Sequence, residues 1–213
     1  MRPCLYLAFI TLLGTCAPPP NVAPTEVVSQ IRYQEARKEL SARVRVSPDR
    51  PTRPTLFNDA MEPAPNLGEG HYRSRRKMAF PASIRFGIPT ETTDERRELK
   101  ISFSPALIDS LPRLLHRGAN YKFPVGSEPL KDTESLELFF EPTERAEPKR
   151  IQLRGPTAGA TFNLPSPAMS DLKNGEYTVY LIKQQLHRDS LPAFTSSVQT
   201  EYFTRSVRVQ VVD

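Results

Sequence analysis

Proline restricts this chain more than any other residue. There are 22 prolines in 213 residues, spread from Pro3 to Pro192, against only 9 glycines. Each proline removes a backbone donor and cannot sit inside a helix or a central strand without cost. Long helices are therefore excluded, and short strands joined by stiff connections are favoured. Hydrophobic residues make up 38% of the chain, low for a globular protein, which fits a modest core with long polar connections. The length points to one domain.

Apolar and polar residues alternate with a period of two in several places, the mark of half-buried strands. Leu40, Ala42, Val44 and Val46 give the first such run. Met78, Phe80, Ala82, Ile84 and Phe86 give a second, which Pro81 limits to a sheet edge or breaks with a bulge. Further strands are expected at 98–104, 134–141, 149–154, 159–164, 176–185 and 202–212. Between them, Thr25 is a suitable N-cap and Val27, Val28 and Ile31 share a helical face, which predicts a short helix within 25–40. Ser104-Pro105 predicts a helical turn over 105–110, and Pro112 a second one ending at Gly118. Residues 47–77, rich in Pro, Asn, Asp and Gly, read as a long loop with a short strand at Thr55 to Asn58.

The N-terminus is a short basic end (Arg2), then an apolar run from Cys4 to Leu13, then Gly14-Thr15-Cys16. An apolar run of about ten residues is the core of a signal peptide; a spanning helix needs roughly 20. The quartet Leu13-Gly14-Thr15-Cys16 resembles the lipobox of bacterial lipoproteins. That resemblance implies removal of residues 1–15, a diacylglyceryl thioether on Cys16 and commonly a further acyl chain such as palmitate on its amine. Two or three chains anchor firmly where one would be marginal. Ala17, in place of the Asp that favours inner-membrane retention in enteric bacteria, implies the outer membrane. Residues 17–24 read as a proline-rich tether. Only Cys4 and Cys16 are present, so the mature part carries no disulfide. The expected organisation is a signal peptide (1–15), a lipidated tether with its short helix (16–37) and a β-sandwich domain (38–213).

Leu172-Lys173-Asn174-Gly175-Glu176-Tyr177 leads into the alternating stretch Thr178–Leu181. This resembles the entry to strand F of fibronectin type III and other immunoglobulin-like domains. It implies an all-β, immunoglobulin-like antiparallel β-sandwich in which Leu172 and Tyr177 form a structural corner. The six expected strands from 98 to 212 would be B, C, C′, E, F and G. The tryptophan typical of strand C and a cysteine pair are absent.

Chemical motifs are sparse. His71, His116 and His187 show no metal-ligand spacing. His187-Arg188-Asp189-Ser190 has hydrolase residue types, but triads converge in space rather than along one segment. Asp94-Glu95 and the pair Glu134 and Glu137 read as ordinary surface charge, and no glycine-rich phosphate loop exists. No catalytic residue, metal or cofactor is expected. Arg73, Arg75, Arg76 and Lys77 form the densest basic run. It is either an anion contact, for instance with lipid headgroups, or a charge guard on a sheet edge. The net charge of +5 is too small and too dispersed for a nucleic-acid binder. Tyr72, Tyr121 and Tyr180 are the candidates for a sugar platform.

The chain is thus read as a lipid-anchored envelope protein. It acts as a non-enzymatic binding or assembly module whose partners are the membrane and another envelope protein. The contact surfaces are expected at 47–77 and 185–200. The alternatives are an envelope hydrolase or glycan-processing enzyme, and a carbohydrate or envelope-polymer binder.

Overall fold

Thr25–Gln34 is a strand, β1, and not a helix. Its buried column is Thr25, Val27, Ser29, Ile31 and Tyr33, while Val28 points outward. Polar Thr25 and Ser29 occupy two of the five inward positions, which masks the period of two. The strand belongs to a computed structural model that describes residues 24–47, 53–89, 96–143, 147–191 and 194–213. The signal peptide, Cys16 and all of the tether except Pro24 lie outside the described residues. After a 3-10 turn at Glu35–Arg37, the chain returns as β2 (Glu39–Ser47), antiparallel to β1.

The segment 47–77 contains more regular structure than the one short strand expected at 55–58. Thr55–Leu56 (β3) and Asp59–Ala60 (β4) form a hairpin whose two turn residues, Phe57 and Asn58, both have positive φ. Two-residue hairpin loops take that conformation because it matches the strand twist. Glu62–Pro63 (β5) is followed by His71–Lys77 (β6), which pairs with β2 along its length. Tyr72 is the one apolar residue of β6, so this strand has no hydrophobic period to read. The strand expected from Met78 begins at Ser83 (β7, Ser83–Pro89), beyond Pro81. It is an interior strand, flanked by β3 and by β8 (Arg96–Ser102) in a four-stranded sheet of order β4-β3-β7-β8. The stretch 98–104, expected as strand B, therefore falls largely in this separate sheet.

No helix forms over 105–118. Ala106 and Ile108 are buried in extended chain, buried Leu111 closes a turn by donating its amide to the Ile108 carbonyl, and the Leu107 amide donates to the Val125 carbonyl. Pro105 and Pro112 leave room for barely a turn and a half between them, too short to nucleate a helix. Two short strands follow, β9 (Leu114–His116) and β10 (Tyr121–Pro124). Then come β11 (Glu134–Pro142), β12 (Lys149–Arg154), β13 (Thr161–Leu164), a helical turn α1 (Ser166–Met169) and β14 (Gly175–Leu191). The chain ends with β15 (Phe194–Phe203) and β16 (Val207–Val212). β10 takes the position of strand B, pairing with β13 as strand E. β12, β11 and β14, with β15 and β16 on the far side of β14, give the C′-C-F-G order of an immunoglobulin-like sheet.

β14 organises the molecule. Its first five residues pair with β16 and its last ten with β15. Between the two ladders, Tyr180 and Leu181 oppose three residues, Thr204, Arg205 and Ser206. That extra residue is a β-bulge. It is stitched by the Thr204 amide donating to the Leu181 carbonyl (3.0 Å) and by the Leu181 amide donating to Thr204 Oγ1 (2.9 Å). The stretch 202–212 is thus two strand segments rather than one. Beyond the bulge, the β14–β15 hairpin extends outward and its free side takes β1 as a parallel neighbour. The ten-stranded sheet then runs through β2, β6 and β5. One buried cluster continues along its inner side. It includes Ile84, Phe86 and Ile101 of the four-stranded sheet, and Phe123, Phe162 and Leu164 of β10 and β13. The protein is an all-β, immunoglobulin-like sandwich with an enlarged sheet.

Candidate functional site

Leu172 and Tyr177 are buried at the entry to β14. Tyr177 Oη donates to the Lys173 carbonyl and accepts from the Lys173 amide, both at 3.0 Å. Its ring meets Phe140 edge-on. This closes the loop before strand F onto the strand itself, in the manner of a tyrosine corner.

The basic run of β6 is largely engaged by acids of neighbouring strands. Arg73 Nε lies 3.5 Å from Glu62, Arg75 Nη2 lies 2.8 Å from Glu39, and Lys77 sits opposite Glu39 in the ladder. Arg76 pairs with Asp59 (2.8 Å), donates to the Leu56 carbonyl (2.9 Å) and covers the Phe57 ring. It clamps the β3–β4 hairpin onto the large sheet, which gives it a structural task.

The three histidines sit on different strands, β6, β9 and β14. His71 and His116 each place Nδ1 3.0 Å from a backbone carbonyl, of Glu69 and Asp213. His187 Nε2 is buried without a hydrogen-bond partner. Burial lowers the His187 pKa; Glu134 opposes the shift and Lys131 adds to it. His187, Arg188, Asp189 and Ser190 alternate along β14, and Asp189 is engaged by Arg97. Glu134 and Glu137, expected as surface charge, are both buried, and they lie on opposite faces of β11 because they are three positions apart along the strand. Asp94-Glu95 lie outside the described residues. Among those described, no group of three or more His, Cys, Asp or Glu side chains could hold a metal ion. The tyrosines form no row. Tyr72 is buried, Tyr121 lies on β10 with its hydroxyl accepting from the His116 amide, and Tyr180 lies on β14.

A cluster invisible to motif reading lies on the inner face of β14. Lys183 pairs with Glu134 and donates to Ser104 Oγ at 2.6 Å. An ammonium ion donates only and has no lone pair to take a serine proton. The arrangement is therefore a strut between β14, β11 and the end of β8. A lysine in step with Val179 and Leu181 was the available sequence signal.

The outward side of the ten-stranded sheet is the more open surface. One row across it is His71, Arg45, Val28, Ser197 and Arg188; the next is Arg73, Arg43, Gln30, Gln199 and Leu186. In the following row Glu201 is buried and saturated. It accepts from Gln30, Gln199 and Arg32 at 2.9–3.0 Å. Arg32 then caps the Phe203 ring at 4.7 Å. Toward the β11 side, Phe139 and Tyr180 stack with centroids 5.1 Å apart and planes 5° from parallel. Tyr180 Oη donates to Glu141 at 2.8 Å, and burial, then Glu141, push its pKa up to about 12. The stretch 185–200, expected as a loop, is the β14–β15 ladder that supports half of this face.

No helix of the described residues is long and apolar enough to cross a membrane. A scan against known protein families matches none. A search of curated proteins finds no match. Among solved structures, the chicken CNTN1 FN1-FN3 domains align with 90% of this chain and 68% of that chain, at 10% identity and a TM-score of 0.25. The immunoglobulin-like assignment rests on this chain's own strand order and its corner tyrosine.

Proposed function

We propose that this chain is a lipid-anchored module of a bacterial cell envelope, held at the outer membrane through Cys16, which binds or assembles another envelope protein without catalysing a reaction. The lipobox-like quartet and a remainder free of cysteine support the anchor. The stacked pair Phe139 and Tyr180, half-buried on the outward face of an antiparallel sheet, carries the binding reading. Aromatic side chains presented on a rigid ladder supply contact area at little entropic cost and dominate protein interfaces. Half-buried Phe203 continues the strip toward β15, opposite buried Ile182 in the ladder.

A photo-reactive residue placed at Phe139 in the producing cell tests this. The expected result is one discrete protein adduct that disappears with Tyr180→Ala and is absent when the probe is moved to Lys100 on β8. Equal labelling from both positions, or an adduct indifferent to Tyr180→Ala, contradicts the reading.

A further inference from the structure

We propose that the groove on the outward face of the large sheet, across β2, β1, β15 and β14, is a contact site for the headgroups of anionic phospholipids in the membrane that Cys16 enters; this rests on the lipid-anchor reading above. The groove has a volume of about 280 Å3. Arg43, Arg45 and His71 line one side, Val28, Leu67 and Leu186 supply apolar surface, and the lining contains no carboxylate. Apolar surface beside guanidinium groups fits the boundary between headgroup phosphate and acyl chain.

The charge on this face is not balanced from within. Arg45 is paired with Glu26 at 3.0 Å and Arg73 with Glu62 at 3.5 Å. Arg43 faces Arg73 directly across the ladder, and Arg188 sits opposite Ser197 at the groove's edge. Among the described residues neither Arg43 nor Arg188 has an ion-pair partner. Like charges opposite one another in a sheet are destabilising, and a bound phosphate relieves that repulsion. Exposed apolar side chains gather at the same end. Val28 is 39% exposed and Leu67 45%, both at the groove.

Position supplies the last argument. β1 starts at Thr25, so only residues 17–24 separate its first residue from Cys16. Eight residues span at most about 29 Å when fully extended, and Val28 lies roughly 10 Å into the strand. An acyl chain on Cys16 therefore holds this end of the sandwich within reach of the headgroups. Lys and Arg side chains near an anionic leaflet are attracted within a Debye length. The strip around Phe139 and Tyr180 lies toward the other end of β14 and stays available to a protein partner.

The mature chain, with Cys16 alkylated, offers no other thiol, so S197C places a single fluorescent label in the groove and T143C one at the opposite end of β14. The lipidated protein is reconstituted on vesicles of phosphatidylcholine with or without phosphatidylglycerol, each doped with headgroup-nitroxide lipid. On phosphatidylglycerol vesicles the S197C label is expected to be quenched and the T143C label not, and R43E with R188E is expected to abolish the quenching while the protein stays anchored. Quenching that is equal at both labels, equal on neutral vesicles, or unchanged by the double reversal overturns the groove proposal alone. Failure of the wild-type chain to associate with any vesicle overturns the anchor, and the groove proposal with it.

Discussion

Lys183 and Glu134 form an ion pair, 3.1 Å from Nζ to Oε1, in which both side chains are less than a tenth exposed, at 9% and 4%. Glu134 Oε2 also accepts from the Lys131 amide at 2.9 Å, and Lys183 donates to Ser104. The pair links the turn before β11 to the middle of β14 and to the chain leaving β8. Removing one member leaves the other charge buried and unpaired. Glu134→Leu should therefore lower stability by roughly 3–5 kcal/mol in urea unfolding. Adding Lys183→Met to that variant should recover most of the loss, because a well-packed apolar pair avoids the desolvation cost. A double variant no better than the single one would mean that Ser104 and Lys131, rather than the charge, set the penalty.

Tyr177→Phe should cost about 1 kcal/mol, the scale of a net hydrogen bond with a partly buried partner. Tyr180→Phe, which loses a bond to exposed Glu141, should cost less. Denaturation midpoints of the two variants decide the order, and the reverse order would remove the corner from its structural role.

Gly155→Ala should destabilise by about 1–3 kcal/mol, the range for forced overpacking. A Cβ at Gly155 would overlap the Lys131 carbonyl and press on Leu130. The same glycine donates its amide to the Glu134 carbonyl at 2.9 Å. Thermal unfolding with the alanine variant at wild-type stability would show that the turn at 130–134 gives way easily.

Stability should also fall on mild acidification, with His187 as the cause. Burial holds its folded pKa below the ordinary value of 6.5. Above that value the imidazole is neutral in both states and stability is full. As pH drops below it, the unfolded chain takes up the proton first, so stability declines until the pH has passed through the folded value. Urea midpoints between about pH 7.5 and 5 should show this slope in the wild type and a shallower one in His187→Gln. Equal slopes would assign the effect to other groups.

Strands are legible where large apolar residues fill alternate positions free of proline, as the run from Met78, interrupted at Pro81, is not. Lys149–Arg154 coincides with the expected 149–154, and Glu134–Pro142 differs from 134–141 by one residue. Legibility failed where polar residues faced inward or pairing alone made the strand. Thr25 and Ser29 in the buried column of β1 turned a strand into an apparent helix. β6 is held by its ladder to β2 and by ion pairs, none of which leave a hydrophobic period. β10 buries Phe123 fully and Tyr121 in part, so its four residues carry too short an apolar pattern to mark strand B. The bulge at Thr204–Ser206 needs a register between distant strands, and no local pattern reports that. The basic run of β6 was visible because its members are adjacent in sequence. The groove was not, because Arg43, Arg188, Val28 and Leu186 come from three strands and meet only through the rows of the sheet.

Lipidation of Cys16 is tested most directly by mass spectrometry of the chain recovered from membranes of the producing cell. The predicted result is an amino-terminal peptide that begins at Cys16 and carries a diacylglyceryl thioether, with residues 1–15 gone. A chain that keeps Met1, or one cleaved elsewhere with a free Cys16 thiol in the soluble fraction, would contradict the account.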